Sequence, residues 1–395
     1  MTSRQGIFLY YLCGVFAAGQ LGKLAALAPL IAQELHVGLA AMAGITALLE
    51  VCGAVLGASA GRWLPRLGLH RALLLAVLAL ALGALGASFA HTAGALAAGR
   101  LLESLGYLAI VVAAPVLIAR TASPRNQPAA MALWSTFVPV GMAVGAWAYA
   151  QAAALTGWRW AQGLSVVCGV ALAAGLYLTR RSPPAIAHQE VDRRTQARQP
   201  TGALIGCLVA AFGAYVVAEV GLLALLPSLL TQSGMSLTAA GTWTAAAALA
   251  NVPASLFAAR LMRRGTDLAA PLAVALGGSG LLYVLTYHEA LPAEVRAGAA
   301  IAVNLFSGVF ATLVFALLPR AAGNATRMAM ASGRLTQFGA SGALIGPPWV
   351  GAFAERLGWQ AAGLLSLALS ALAIPLALWA WGALKRQPAA SPPSR

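Results

Sequence analysis

Six ionisable side chains fall inside long apolar runs of this 395-residue sequence, and they carry both signs: Lys23, Arg100 and Arg334 against Glu50, Glu103 and Glu219. A charge at the centre of a lipid bilayer costs about 2.5–3.5 kcal/mol on insertion scales. The chain has only ten acids in total, so three in apolar runs call for partners or a water-lined cavity. The chemistry open to such a set is ion pairing, capture of a charged solute and proton exchange.

Arg100 and Glu103 are three residues apart, with Tyr107 four further on, so they share one helical face and can pair locally. Two roles are open: a self-neutralising pair, or a carboxyl that takes up a proton when its arginine is withdrawn. Lys23, with Gln20 one turn behind it, lies too far from a polar loop to snorkel with ease, so a solute anion or Glu50 is the expected partner. Glu219 has Tyr215 one turn away; it shares the depth of Lys23 and could form a permanent ion pair with it. Arg334 lines up with Gln337 and Ser341 and suits bidentate carboxylate capture, with snorkelling as the rival reading. Trp134 and Asn304 are further candidates to line a cavity, with Phe137 and Phe310 beside them. The expected solute-binding set is Lys23, Arg100, Arg334, Gln20, Gln337, Trp134, Asn304 and Tyr215; the expected proton carriers are Glu50, Glu103 and Glu219.

The elements that position these residues follow from composition. Hydrophobic residues make up 60% of the chain and charged ones 9%, and the mean hydropathy is +0.80. A water-soluble fold cannot hide that much apolar surface, and about 20 apolar residues cross a bilayer as a helix. Twelve spans are predicted, at 7–31, 38–61, 72–90, 94–119, 128–153, 158–179, 203–230, 237–259, 268–287, 296–319, 328–353 and 361–384. The net charge of +15 is scattered in short clusters between the spans, which points to topology and not to nucleic acid. With both termini cytoplasmic, nineteen of the 25 Lys and Arg fall on that side, and only Arg159, Arg296 and Arg356 on the other. The N-terminus reads as a retained first helix, since its apolar run is too long for a secretory leader.

The polar stretch after the sixth span sets an expected organisation of a six-helix bundle over 1–180, a cytoplasmic linker over 181–202 and a second six-helix bundle over 203–395. The halves echo each other. Pro29 and Pro227 are each expected to end a span, GLAAMAG at 38 matches SLTAAGT at 236, GRWLPRLG at 61 matches AARLMRRG at 258, and GMAVG at 141 matches GALIG at 342. A duplicated six-helix unit is the mark of transporters that rock two halves about a midplane site.

The segment from Gly61 to Arg71 resembles the cytoplasmic signature of the major facilitator superfamily, with Gly61, Arg66, Gly68 and Arg71 in register. The resemblance covers nearly the whole chain and implies an all-α membrane fold of two pseudo-symmetric six-helix bundles. It makes those four residues gating candidates in the loop after the second span. Pro65 stands where the family has Asp, and His70 where it has a base, which removes the interhelix charge contact that the resemblance would imply. Arg100 to Gly106 resembles the family's arginine-glutamine-glycine motif, with Glu103 in place of Gln, and Pro139 to Gly145 partly resembles its antiporter motif. The strings from Pro128 to Gly145 and from Ser332 to Trp349 are similar to the cyanate and nitroimidazole permease branch.

No Walker loop and no clustered metal ligands occur, and the five histidines sit in or beside predicted loops, so neither an enzyme nor a cofactor is expected. Cys13, Cys52, Cys168 and Cys207 lie inside apolar runs as reduced packing residues. The sequence thus reads as a monomeric, multi-pass protein of a bacterial-type inner membrane. It would carry a small anionic or zwitterionic organic solute by alternating access with proton coupling. The rival reading is proton-driven efflux of hydrophobic or cationic drugs, with Glu50 and Glu219 as counter-charges.

Overall fold

The computed structural model describes residues 3–123, 125–179, 201–322 and 325–386, so the linker expected at 181–202 falls almost wholly outside the described residues. Among the described residues the chain is helical throughout, with no strand. Helix α1 (Ser3–Glu34) is followed by α2 (Leu39–Ala47), a single 3-10 turn at Leu48–Glu50, α3 (Val51–Leu67), α4 (Leu69–Ser88) and α5 (Ala93–Thr121). Then come α6 (Gln127–Trp134), α7 (Phe137–Thr156), the short α8 (Trp158–Ala161) and α9 (Gly163–Leu178). Six long helices complete the chain: α10 (Thr201–Gln232), α11 (Leu237–Arg263), α12 (Ala269–Tyr287), α13 (Ala293–Ala322), α14 (Ala325–Leu357) and α15 (Trp359–Lys385).

Lipid leaves no partner for a bare backbone N–H or C=O, so an apolar spanning segment must close its own hydrogen bonds as a helix. Among the described residues eleven segments are long and apolar enough to cross a membrane. The twelfth expected span is α14, a helix of 33 residues. Its first half carries Arg327, Arg334 and Gln337 and falls short on apolarity, yet it packs against α2, α3, α10 and α15 like its neighbours. Two spans are irregular inside. The second tightens into the 3-10 turn that ends at Glu50, and the fifth breaks at Ser135 and Thr136, whose hydroxyls donate to Ala132 O and Leu133 O at 2.7 Å. Irregular backbone at such depth is tolerated where it is buried in protein or faces water.

Two expectations are corrected. Pro29 and Pro227 do not end their spans: both lie inside helices that run on to Glu34 and Gln232. A proline inside a helix deprives one carbonyl, four residues back, of its donor, and the helix continues past it. The segment from Gly61 to Leu67 is not a loop but the last turns of α3, and Gly68, at φ +80°, is the sole residue between α3 and α4. Arg296, in the first turn of α13, is 4% exposed and donates to Thr286 O at 3.0 Å and to Ser233 Oγ.

The sequence echo returns in the backbone. All six described residues with positive φ fall into three pairs: His36 with Gly234, Gly68 with Gly265, and Gly157 with Gly358, at separations of 198, 197 and 201 residues. Close helix packing repeats the same spacing. A Cβ on Gly145 would sit 2.2 Å from Gly19 O of α1, and one on Gly346 would sit 2.3 Å from Val217 O of α10. Without a hydrophobic drive between helices in lipid, such backbone-to-backbone contact is what binds α1 to α7 and α10 to α14. At the helix ends away from the termini, Trp158 Nε1 donates to Glu34 and Trp359 Nε1 to Gln232. At the opposite ends, His70 meets Leu176 O at 2.9 Å, and Asp267 accepts from Trp381 Nε1 at 2.7 Å and Lys385 Nζ at 2.8 Å.

Contacts of α2 and α3 with α14, and of α7 with α11, join the first six spans to the last six. They concentrate away from the termini. Ala40 N donates to Glu355 Oε2 at 3.0 Å, a Cβ on Gly351 would lie 3.3 Å from Ala43 Cβ, and Gly241 packs on Ala150. The deepest cross-contact among these is Gln337 Nε2 to Ala54 O at 3.4 Å. Nearer the termini Val55, Leu67, Arg334 and Phe338 are exposed. The described contacts between the two halves thus cluster at the end away from the termini.

Candidate functional site

At about 1.5 Å per residue, Lys23, Glu50 and Glu103 each lie about 15–17 Å in from the helix ends at Glu34, Leu39 and Ala93, close to the bilayer midplane. There α1, the 3-10 turn and α5 meet. Glu103 accepts from Lys23 Nζ at 2.5 Å and from Arg100 Nη1 at 2.7 Å, and all three side chains are at most 2% exposed. Arg100 is held further by Thr46 O, to which Nε and Nη2 donate at 3.3 and 3.0 Å. Gly83 makes this close approach possible, since a Cβ there would fall 2.6 Å from Glu103 Cγ and 2.7 Å from Gly99 O.

The local Arg100–Glu103 pair expected from spacing is present, yet it is not self-neutralising. Lys23 adds a second cation to a single carboxylate, so the triad carries one surplus positive charge in the apolar interior. Lys23 is paired with Glu103, and with neither Glu50 nor Glu219, which is a correction: depth alone could not tell which carboxylate its helix face would meet. Gln20 extends the network away from the triad. Its Nε2 donates to Phe16 O, and its Oε1 accepts from Ser165 Oγ at 3.0 Å, which in turn meets Tyr149 Oη at 2.6 Å.

Glu50 completes the cluster. It follows Thr46 by four residues, lies within electrostatic reach of Arg100 and meets the Tyr107 hydroxyl. Among the described residues it forms no salt bridge. The arrangement is thus two cations, one carboxylate locked between them and one carboxyl, 9% exposed, held only by a phenol.

Glu219 lies apart, in α10, 4% exposed. Tyr283 Oη donates to its Oε2 at 2.8 Å, while Oε1 has no hydrogen-bond partner. Tyr215 makes edge contact with Phe310, the ring centroids 5.4 Å apart. Asn304 is fully buried: its Nδ2 donates to Ala300 O, and its Oδ1 is unpartnered. Arg334 and Gln337 share an exposed face of α14; Gln337 touches Ala54 of α3, and Arg334 lies one turn nearer the termini. Trp134 stacks on Phe137 at 4.2 Å and lies across Gly14 of α1, which makes it a helix-packing contact. Arg66, Gly68 and Arg71 are exposed at the α3–α4 turn; Gly61 lies in α3, and its surroundings are outside the described side chains.

Sequence reasoning missed Ser165, Tyr149 and Tyr283 as hydroxyl partners, and Thr46, whose backbone oxygen holds Arg100. Residue type alone could have pointed to the three hydroxyls and nothing to the carbonyl, and the partner lies on another helix in every case.

A family model described as Major Facilitator Superfamily matches residues 10–303. Three solved structures share the fold at low identity. A bacterial homologue of the human lysosomal transporter Spinster, in an inward-facing and occupied conformation, has a TM-score of 0.74 at 16% identity, covering 96% of each chain. A D-xylose–proton symporter has a TM-score of 0.71 at 14% identity, covering 93% of this chain and 96% of its own. A peptide transporter of the POT type, in complex with sulfate, has a TM-score of 0.76 at 14% identity, covering 96% of this chain and 95% of its own. A search of curated proteins gave no match. The family match spans most of the chain, and eleven segments among the described residues are long and apolar enough to cross a membrane: the chain belongs to the major facilitator superfamily and is a multi-pass membrane transporter.

Proposed function

We propose that this transporter carries a small organic anion or zwitterion together with a proton, with the Lys23–Glu103–Arg100 triad and Glu50 as the coupling centre. The observation that carries the reading is the surplus buried cation beside a carboxyl that has no ion pair. Two states balance the charge. Either Glu50 is ionised and offsets the surplus, or a solute carboxylate takes that place and Glu50 accepts a proton. Alternating between them moves one proton with each anion, because a bare surplus charge at this depth is costly.

The exposed pair on α14 supports the same reading. An anion entering past Arg334 and Gln337 meets a planar guanidinium suited to carboxylates before it reaches the triad. The surplus positive charge weighs against a cationic cargo, and so against drug efflux as the main activity. We take the termini to face the cytoplasm of a bacterial-type inner membrane, since nineteen basic residues lie on that side.

Thermal-shift screening against small carboxylates, organic cations and drugs names the cargo class, because a bound ligand raises stability by mass action. With a carboxylate identified, uptake into proteoliposomes under an imposed pH gradient tests the coupling. Glu50→Gln should bind the anion yet lose acceleration by the gradient. Uptake by Glu50→Gln that still follows the gradient as wild type does would remove Glu50 from the mechanism.

A further inference from the structure

The second half of the bundle holds a group of polar atoms that the coupling centre does not use. Tyr283 of α12 fixes one oxygen of Glu219 at 2.8 Å, which leaves Oε1 buried and without a hydrogen bond. Ser307 of α13 lies beside the same carboxylate and the Tyr215 hydroxyl, fully buried, with its Oγ short of hydrogen-bond geometry to either. Asn304 stands one turn before Ser307 on α13, also fully buried, with its amide nitrogen committed to Ala300 O and its Oδ1 unpartnered. Three orphaned oxygens thus come from two packed helices, those of Glu219 and Ser307 side by side and that of Asn304 one turn further along α13. Buried polar atoms in folded proteins are nearly all paired, so such a group asks what satisfies it.

The chemistry of the set is narrow. It offers oxygens only: one carboxylate, one hydroxyl and one amide carbonyl. Among the described residues no cluster of His, Cys, Asp and Glu forms, and an all-oxygen set fits a hard cation in preference to a soft metal. A single formal negative charge balances one positive charge, whereas a divalent ion would leave a net charge buried in an apolar bundle. Arg296 lies two turns before Asn304 on the same helix, with Nε and Nη1 turned to Thr286 O and Ser233 and Nη2 unpartnered. A proton on Oε1 satisfies that oxygen and at most one neighbour, and leaves the remaining acceptors as they are. A small monovalent cation engages all three at once.

We propose that Glu219, Ser307 and Asn304 form a sodium-binding site in the second half of the bundle, oriented by the Tyr283 hydrogen bond. The site is separate from the Lys23–Glu103–Arg100 triad and stands whether or not Glu50 carries the proton.

The test is thermal unfolding of the purified protein at fixed pH and ionic strength, titrated with sodium chloride against potassium chloride and choline chloride. A sodium-specific rise in Tm is expected, growing with the logarithm of concentration once the site fills. Glu219→Gln should abolish it. Ser307→Ala and Asn304→Ala, which keep the carboxylate, should each raise the half-effect sodium concentration about tenfold, the order expected for losing a supporting ligand. Binding of radiolabelled sodium, displaced by unlabelled sodium and not by potassium, should follow the same order. Equal Tm rises in all three salts, no sodium effect, or a sodium effect unchanged in the variants would each overturn the site. Should Glu219→Gln fail to fold, the two milder variants decide it.

Discussion

Replacing Glu103 with Gln perturbs the coupling centre most directly, and the structure sets the size and the order of the effects. Glu103 is the single carboxylate between two cations, at 2.5 Å from Lys23 Nζ and 2.7 Å from Arg100 Nη1. At an effective dielectric of about 20, each charge pair about 4 Å apart is worth about 4 kcal/mol before desolvation is counted. Glu103→Gln removes both attractions and leaves Lys23 and Arg100 buried and repelling each other. Breaking a buried pair in this way costs about 3–5 kcal/mol, and two stranded cations place the variant at the upper end. Lys23→Met is a different perturbation: it takes away the surplus cation with its desolvation penalty and leaves Arg100 and Glu103 as a neutral pair. Its cost should be less than half that of Glu103→Gln. The double variant Lys23→Met/Glu103→Gln should then recover about 1–3 kcal/mol of the Glu103→Gln loss, a coupling of the size expected for residues in contact. Unfolding of the purified protein by SDS titration in mixed micelles reads all three. If Glu103→Gln lies within about 1 kcal/mol of wild type, or if the two single changes add to within about 0.5 kcal/mol, the triad does not hold together in the way described.

Three further outcomes are expected. Paired cysteines at Ala43→Cys and Gly351→Cys, where a Cβ at 351 would lie 3.3 Å from Ala43 Cβ, sit near the about 3.5–4.5 Å that a disulfide needs. Oxidation should lock this end and stop transport, and reductant should restore it; full transport by the cross-linked protein would remove this contact from the gating cycle. Gly346→Ala drives a Cβ to within 2.3 Å of Val217 O and should destabilise by about 1–3 kcal/mol, since backbone cannot give way as a side chain can. A melting temperature equal to wild type would show that α10 and α14 separate at no cost. Hydrogen bonds from Lys385, Trp381 and Ala269 pull the Asp267 carboxyl down from 3.8 to about 2. Because the folded value is the lower one, the contribution of this carboxylate to stability is complete above about pH 4 and is lost as pH falls towards about 2. Asp267→Asn should flatten that part of the stability curve, and an unchanged acid limb in the variant would refute the assignment.

The spans were legible because their cause is local. An apolar run of the right length closes its own backbone hydrogen bonds in lipid, so each of the twelve predicted segments coincides with helix to within a few residues at its ends. The duplication was legible for a related reason: the glycine-rich turns at 68, 157, 265 and 358 are written into both halves, and the backbone keeps them at positive φ. Composition alone would have dropped α14, whose first half is polar.

The sequence also named the buried charges, since charge in an apolar run is visible in one dimension. What it could not assign was partnership. Lys23 is 80 residues from Glu103, and whether it would meet Glu103, Glu50 or Glu219 depends on how α1 is rotated against α5. That rotation is set by which glycines let backbones touch, at Gly19 against Gly145 and Gly83 against Gly99. The same holds for Arg296, whose partners Thr286 and Ser233 lie on other helices or their ends and could not be read from its place in the sequence. Lys23, Arg100, Glu50, Glu103 and Glu219 were therefore fixed as mid-membrane groups by hydropathy. Only helix packing decided that three of them form a triad with one surplus positive charge, that Glu50 stands beside it without an ion pair, and that Glu219 lies apart among oxygens.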